Sequence, residues 1–155
     1  LPYHKRWLPV QRATLSFGHG MTVNTLQLAR AYSVLAADGV IRPVSLLKNT
    51  TARPGIAKPE QVMGARLARD VRQMMKTVVD SGTGKSARIA GYSVAGKTGT
   101  AHKVGAAGYE ENRYRATFAG MAPADNPRLV AVVTVNDPQG KQYFGGEIAA
   151  PVFRD

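Results

Sequence analysis

The sequence of 155 residues lacks cysteine, and it contains only three histidines, His4, His19 and His102. The absence of cysteine excludes a disulfide framework, a thiolate metal site and a cysteine nucleophile. Long apolar runs are missing too, because none approaches the roughly 20 residues that a transmembrane helix needs. The chain starts at Leu1 with no targeting signal, and we expect it to be a piece of a longer protein.

Apolar residues make up 44% of the chain, enough for the core of one globular domain. The formal net charge is +11, and residues 1–109 alone carry +12. Such a surface attracts nucleic acid, anionic lipid or acidic polymers without specificity. The basic residues are dispersed and no aromatic residues interleave with them, which favours a solvated face over a single-strand binding groove. A basic nucleic-acid-binding module stays open as an alternative function.

The first half of the chain is predicted to be mainly helical. Residues 1–20 are expected to form a loop, because two prolines interrupt any periodicity, and a helix is expected to follow with Thr22 as its N-cap and Asp38 at its end. A second helix is predicted from about Gly64 to Asp80. Its core-facing stripe is predicted to contain Leu67, Val71, Met74, Met75 and Val78. Its opposite face is predicted to hold Arg66, Arg69, Arg72 and Lys76.

The last third of the sequence has the pattern of strands. Tyr92–Ala95, Tyr114–Met121 and Leu129–Val135 are short and rich in β-branched or aromatic residues. The last two are close enough in sequence for an antiparallel pair, with no helix-length pattern between them. A closing helix is expected over Gly146–Phe153. Between the two predicted helices, Val40–Leu47 is expected to be extended.

Residues Gly91 to Thr98 match the spacing of a phosphate-binding P-loop. That loop requires a strand directly before the first glycine and a helix directly after the threonine. Neither condition is met, because three glycines follow Thr98 within ten residues and each disfavours a helix. We therefore reject a nucleotide site here.

Lys97, the lysine of this P-loop-like run, suits a different chemistry as part of the segment Lys97-Thr98-Gly99-Thr100. On a strand the two threonines point to one side, and Gly99 lets a ligand approach the backbone closely. Two hydroxyls and an ammonium converging on one side suit a substrate carboxylate. The segment resembles the Lys-Thr-Gly element of the penicillin-recognising serine acyltransferases.

The surrounding sequence strengthens that likeness. The run from Ser81 to Ala101 resembles the third active-site motif of class B penicillin-binding proteins, the division-type peptidoglycan transpeptidases. Other segments resemble the same family in the same order: Phe17–Gly20, Thr25–Ala29, Phe118–Gly120, Asn136–Pro138, Tyr143–Gly146 and Ala150–Phe153. The resemblance implies an α+β penicillin-recognising fold, with an antiparallel sheet flanked by helices on both faces, present as its C-terminal half. Residues 1–80 would supply part of the helical lobe, and 81–155 the strands and the start of the last helix.

The resemblance also implies roles for individual residues. Lys97 would hydrogen-bond the serine of the family's second motif, and Thr98 and Thr100 would hold the carboxylate of a D-Ala-D-Ala end or of a β-lactam. The Thr100 backbone N–H would contribute to the oxyanion hole, with Gly99 between the two threonines. Four further residues are candidates for substrate contact: Tyr114, Tyr143 and Phe144 as an aromatic wall, and His19 beside the cleft. Ordinary packing or an exposed turn accounts equally well for Tyr114 and His19, and His102 is expected to be solvated.

Two of the family's three motifs are not found in these residues. No Ser-x-Asn occurs, and the one Ser-x-x-Lys runs from Ser45 to Lys48. We reject Ser45 as the nucleophile, because an extended segment points residues three apart to opposite faces. The chain by itself is therefore expected to be inactive.

The function implied by the resemblance is peptidoglycan cross-linking by serine acyl transfer, at the periplasmic face of the bacterial inner membrane. It implies no metal and no organic cofactor. The expected partners are peptidoglycan stem peptides, β-lactam antibiotics, the N-terminal half of the same domain and cell-division or elongation membrane proteins, with no specific nucleic acid. A β-lactam sensor or hydrolase of the same fold remains an alternative.

Overall fold

The computed structural model describes residues 7–18, 20–45, 58–105 and 108–155. Its helices and strands in chain order are α1 (Pro9–Ser16), α2 (Thr25–Ala36), β1 (Val40–Ile41), β2 (Glu60–Gln61), α3 (Ala65–Asp80), a 3-10 turn (Lys85–Ala87), β3 (Ala95–Gly105), β4 (Gly108–Ala122), β5 (Leu129–Asn136) and α4 (Gly145–Arg154). None of the helices within these ranges is long and apolar enough to cross a membrane.

Helix α1 shows that the predicted loop over residues 1–20 is wrong within its described part. Pro9 occupies the first turn of α1. Proline is favoured there, because its missing N–H would have no helical partner and its fixed φ suits the helix. The proline therefore begins a helix instead of interrupting one.

Helix α2 is confirmed, but its N-cap is Asn24 and not Thr22. The Asn24 side chain accepts a hydrogen bond from the Gln27 N–H at 2.8 Å, and the Gln27 side chain accepts one from the Asn24 N–H at 2.9 Å. This reciprocal capping box satisfies two N–H groups at the helix start. Of the predicted extended segment Val40–Leu47, β1 covers Val40–Ile41, and residues 46 and 47 lie outside the described part.

Helix α3 begins within one residue of its predicted start, and Met75 is buried and Val71 packs on the core as predicted, but the buried face is shifted from the predicted one. The core side holds Ala68, Arg72, Met75 and Val79. Leu67 and Met74, predicted to face the core, are 54% and 61% exposed. The prediction failed on Arg72, because an arginine on a helix is normally read as solvent-facing unless its partner is known.

The partner of Arg72 is the end of α2. Its Nη1 donates to the Asp38 carboxylate at 2.7 Å and to the Leu35 carbonyl at 2.6 Å, and Arg69 contacts the other Asp38 oxygen at 3.3 Å. The hydrogen bond from Arg72 holds the pKa of the Asp38 carboxyl below its usual range. These bonds tie α2 to α3.

We expect Arg72→Ala to lower the free energy of unfolding of the intact transpeptidase domain by about 2–4 kcal/mol, because it leaves the Leu35 carbonyl and Asp38 without their buried donor. Arg66→Ala removes an equal charge from the same helix, but the Arg66–Asp70 pair spans 4.0 Å and is exposed. That control is expected to cost less than about 0.5 kcal/mol. Urea unfolding of both variants measures the difference, and equal losses would contradict the structural role of Arg72.

The main sheet has the strand order β3-β4-β5, and both pairings are antiparallel. The pairing of β4 with β5 is confirmed as predicted. The predicted strand over Tyr92–Ala95 is wrong, because Tyr92 makes only an isolated bridge with Ile89 and β3 begins at Ala95. β3 and β4 contain several glycines, since cross-strand pairing outweighs the weak strand propensity of glycine.

Helices cover both faces of this sheet, which confirms the predicted α+β architecture. Phe118 on β4 is fully buried and packs with α4. Met121 lies on the opposite face, three residues along the strand, and packs with side chains of α2 and α3. The closing helix α4 is confirmed and runs slightly beyond its predicted bounds, over Gly145–Arg154.

Candidate active site

The Lys97-Thr98-Gly99-Thr100 segment lies near the start of β3, and among the described residues β3 pairs only with β4. Its other edge is therefore open along the segment. The P-loop interpretation was rightly rejected, because the chain after Thr98 continues as strand and not as helix. An open strand edge presents unpaired backbone groups to a ligand.

The pairing register shows which backbone groups face that edge. Gly99 is opposite Thr117, and a Cβ built on Gly145 would touch both carbonyl oxygens, lying 2.5 Å from that of Gly99. The carbonyl oxygens of two paired residues lie this close together only when the residues form a hydrogen-bonded antiparallel pair. In a non-hydrogen-bonded pair both carbonyls point away from the partner strand. The N–H and C=O groups of Thr98 and Thr100 therefore point to the open edge.

Lys97 reaches the same edge from the opposite face of the strand. Its Nζ donates to the Thr98 carbonyl at 3.0 Å, and the side chain is exposed. We predicted that the ammonium and the two hydroxyls converge on one side, and this needs correction, because alternation places Lys97 on the other face from Thr98. Lys97 Nζ reaches the edge through the Thr98 carbonyl, whereas the two hydroxyls lie on the opposite face of the strand from the Lys97 side chain.

The two threonine hydroxyls lie on one side of the strand, as predicted, and this is the side that α4 covers. Thr98 Oγ1 lies 2.9 Å from Thr83 Oγ1, and Thr100 Oγ1 accepts a hydrogen bond from the Gly145 N–H at 3.1 Å. Thr83 belongs to the turn before the 3-10 helix, and Gly145 opens α4. Sequence analysis did not identify either contact, although the paired glycines at 145 and 146 are a local signal of close backbone approach.

The three predicted wall residues are in contact with one another. The Tyr114 and Tyr143 rings stack at 4.1 Å between centroids, and Phe144 lies 4.4 Å from Tyr143. His102, expected to be solvated, is exposed but also packs on Tyr114 at 4.6 Å. Phe144 directly precedes Gly145, whose N–H donates to Thr100, so the backbone that carries this ring is next to the Lys-Thr-Gly strand.

His19 lies outside the described residues, but its neighbours are placed. Gly18 and Gly20 line a cleft of about 1050 Å³ between residues 17–28 and the sheet, with Ala101 and Arg115 on the other wall. The assignment of His19 to the site stays a prediction.

Other candidate chemistry finds no support in the described residues. Within those ranges no three His, Cys, Asp or Glu side chains form a group that could hold a metal ion. Asp137 is held by Arg113 and lies 3.4 Å from Lys103 Nζ, and the Arg113 hydrogen bond keeps the pKa of that carboxyl below its usual range. Ser45 is exposed beyond β1, and Lys48 lies outside the described part.

Comparison with known proteins identifies the family. Residues 3–155 match the family described as penicillin binding protein transpeptidase domain. The chain belongs to this family.

Individual members agree. The chain is 46% identical over 153 residues to the peptidoglycan D,D-transpeptidase FtsI of Escherichia coli, and 44% identical over 156 residues to the probable peptidoglycan D,D-transpeptidase PbpC of Pseudomonas aeruginosa. The solved transpeptidase domain of Burkholderia pseudomallei penicillin-binding protein 3 superposes with a TM-score of 0.87 at 42% identity, over 99% of this chain.

The matched part of each relative is limited. The chain spans 25% of the Escherichia coli protein, 27% of the Pseudomonas aeruginosa protein and 46% of the solved Burkholderia chain. The comparisons therefore establish the family and the penicillin-recognising fold of these residues.

Proposed function

We propose that a full-length protein containing this chain is a peptidoglycan D,D-transpeptidase. The observation that carries the proposal is the open β3 edge, where Lys97, Thr98 and Thr100 present an ammonium, two hydroxyls and the Thr100 N–H together. This set of donors suits the terminal carboxylate of a peptide and the oxyanion of an acyl-transfer intermediate. The names of the relatives support the same activity.

The reaction is a two-step acyl transfer. A serine hydroxyl, which in this family comes from the Ser-x-x-Lys motif, attacks the penultimate D-Ala carbonyl, and the terminal D-Ala leaves with the proton. An amine of a neighbouring stem peptide then attacks the ester, forms the new amide and releases the serine. A β-lactam is opened by the same serine and stays attached.

The residues of this chain would bind and orient the acyl donor. Thr98 and Thr100 hold the carboxylate, the Thr100 N–H polarises the reacting carbonyl, and Lys97 supplies positive potential and a donor to the second-motif serine. Gly99 leaves room for the ligand against the strand. Further contacts come from the aromatic wall of Tyr114, Tyr143 and Phe144, and from His19 on the loop at the cleft.

The partners follow from this chemistry: stem peptides, β-lactams and division or elongation membrane proteins, at the periplasmic face of the inner membrane. We also propose that residues 1–80 and 81–155 pack with an N-terminal half of the domain that supplies the serine. Specific nucleic-acid binding is not part of the proposal, because several cations are neutralised locally, as Arg72 and Arg69 are by Asp38.

A fluorescent penicillin tests the proposal directly. The full-length protein and the 155-residue chain are each incubated with the reagent, and the labelled peptide is mapped by mass spectrometry. Label on the full-length protein outside residues 1–155, with none on the chain alone, is the expected result. Label on Ser45, or no label on the full-length protein, would contradict it, and rapid release of the label would favour a hydrolase.

A further inference from the structure

Helix α4 begins in direct contact with Thr100 and close to Thr98. The Gly145 N–H donates to Thr100 Oγ1 at 3.1 Å. A Cβ on Gly146 would overlap the Thr83 carbonyl oxygen and lie 3.4 Å from Thr98 Cγ2. The first turn of α4 therefore rests on the strand that carries the ligand-binding hydroxyls.

The close approach requires glycine at position 145 because of space and not because of backbone conformation. Gly145 is buried and has no positive φ. A side chain there would collide with the backbone of the Gly99–Thr117 pair, as the Cβ distances above show. Any larger residue would push α4 away from β3 and lengthen the bond to Thr100.

The Gly145 bond fixes the role that the Thr100 hydroxyl can play. A hydroxyl has one hydrogen to donate, and an N–H can only donate. Thr100 Oγ1 must therefore be the acceptor toward Gly145, and its own hydrogen is left to donate elsewhere. The Thr98 hydroxyl differs, because its partner is the Thr83 hydroxyl and either oxygen can be the donor.

The same bond caps the helix. The N-cap residue of α4, Phe144, makes no side-chain capping bond, and the first N–H groups of a helix have no partner within it. Thr100 takes over that function for Gly145. The bond holds Thr100 Oγ1 in place before any ligand arrives, and it leaves the hydroxyl hydrogen available to donate.

We infer that Gly145 is a positioning residue that locks the Thr100 hydroxyl as a hydrogen-bond donor to the ligand carboxylate. The inference rests on the proposed function, since the carboxylate ligand comes from it. It assigns Gly145 a part in recognising an anionic acyl donor, and it makes α4 a support for the binding strand.

The test compares the acylation rate of the full-length protein by benzylpenicillin with that by its methyl ester, which lacks the charged carboxylate. We expect Gly145→Ala to reduce the acid-to-ester rate ratio at least fivefold. Thr100→Val should reduce it similarly, and the double variant should fall little further, because both changes remove one interaction. The matched control is Gly64→Ala, at the start of α3 with open space around it, where the ratio should stay within twofold.

A merely structural role of Gly145 would lower both rates equally and leave the ratio unchanged, and this result would overturn the inference. If Gly145→Ala fails to fold by circular dichroism, Thr100→Ser and Thr100→Val decide: serine should keep the ratio and valine should lose it. An unchanged ratio in Thr100→Val would overturn the inference as well. Failure of the proposed function is distinct, because the unaltered protein would then react with neither compound.

Discussion

Replacing Lys97 by alanine is expected to slow the acylation of the full-length protein by penicillin at least 100-fold. The Lys97 ammonium reaches the open edge of β3, where its Nζ lies 3.0 Å from the Thr98 carbonyl. Removing a donor that is aimed at the reacting groups typically costs about 10²–10³ in rate. The second-order rate constant, measured with a fluorescent penicillin, gives the effect.

The effect should come from the position of the charge and not from the net charge. Lys58→Ala removes an equal charge from an exposed residue just before β2, and it should leave the rate constant within twofold. Lys97 is itself exposed, so its replacement should shift the midpoint of urea unfolding little. Unchanged acylation in Lys97→Ala would remove this lysine from the site.

Local patterns in the sequence predict where the helices and strands of this fold lie better than they predict which side chains are buried. The apolar spacing along α3 predicts the helix to within one residue, yet Arg72 is buried and Met74 is exposed. The spacing of the apolar residues indicates a helix. Which of its side chains are buried depends on the residues of other elements that pack against that helix. Asp38, 34 residues earlier in the chain, supplies the acceptor that makes a buried arginine tolerable, and no local pattern contains that pairing.

The candidate site, too, is predicted from the local sequence only in part. The Lys-Thr-Gly strand is found from the sequence because its residue types are adjacent, and the alternation of a strand correctly puts Thr98 and Thr100 on one side. Their partners are distant in the chain: Thr83 is 15 residues away and Gly145 is 45. Proline misled the prediction of one boundary, since Pro9 begins a helix, and the predicted strand over Tyr92–Ala95 ends where β3 begins.

The packing beneath the site leads to the largest expected loss of stability. Phe118 is fully buried on β4, and its ring is surrounded by three glycines. A Cβ on Gly96 would overlap the ring, one on Gly120 would lie 2.8 Å from it, and one on Gly84 would lie 3.3 Å from it. The ring occupies the space that side chains would otherwise fill.

We expect Phe118→Ala to lower the free energy of unfolding of the intact domain by about 3–5 kcal/mol, because glycines have no side chains that can move into the cavity. Phe153, whose ring lies 5.0 Å away in an edge-to-face contact, would lose its partner as well. Phe144→Ala is the matched control: that ring is 52% exposed, and its loss should cost at most about 1.5 kcal/mol. Urea unfolding of both variants measures the difference. Equal losses would mean that β3 and α4 do not depend on the Phe118 ring, whereas the expected difference would show that the ring supports the strand carrying Lys97.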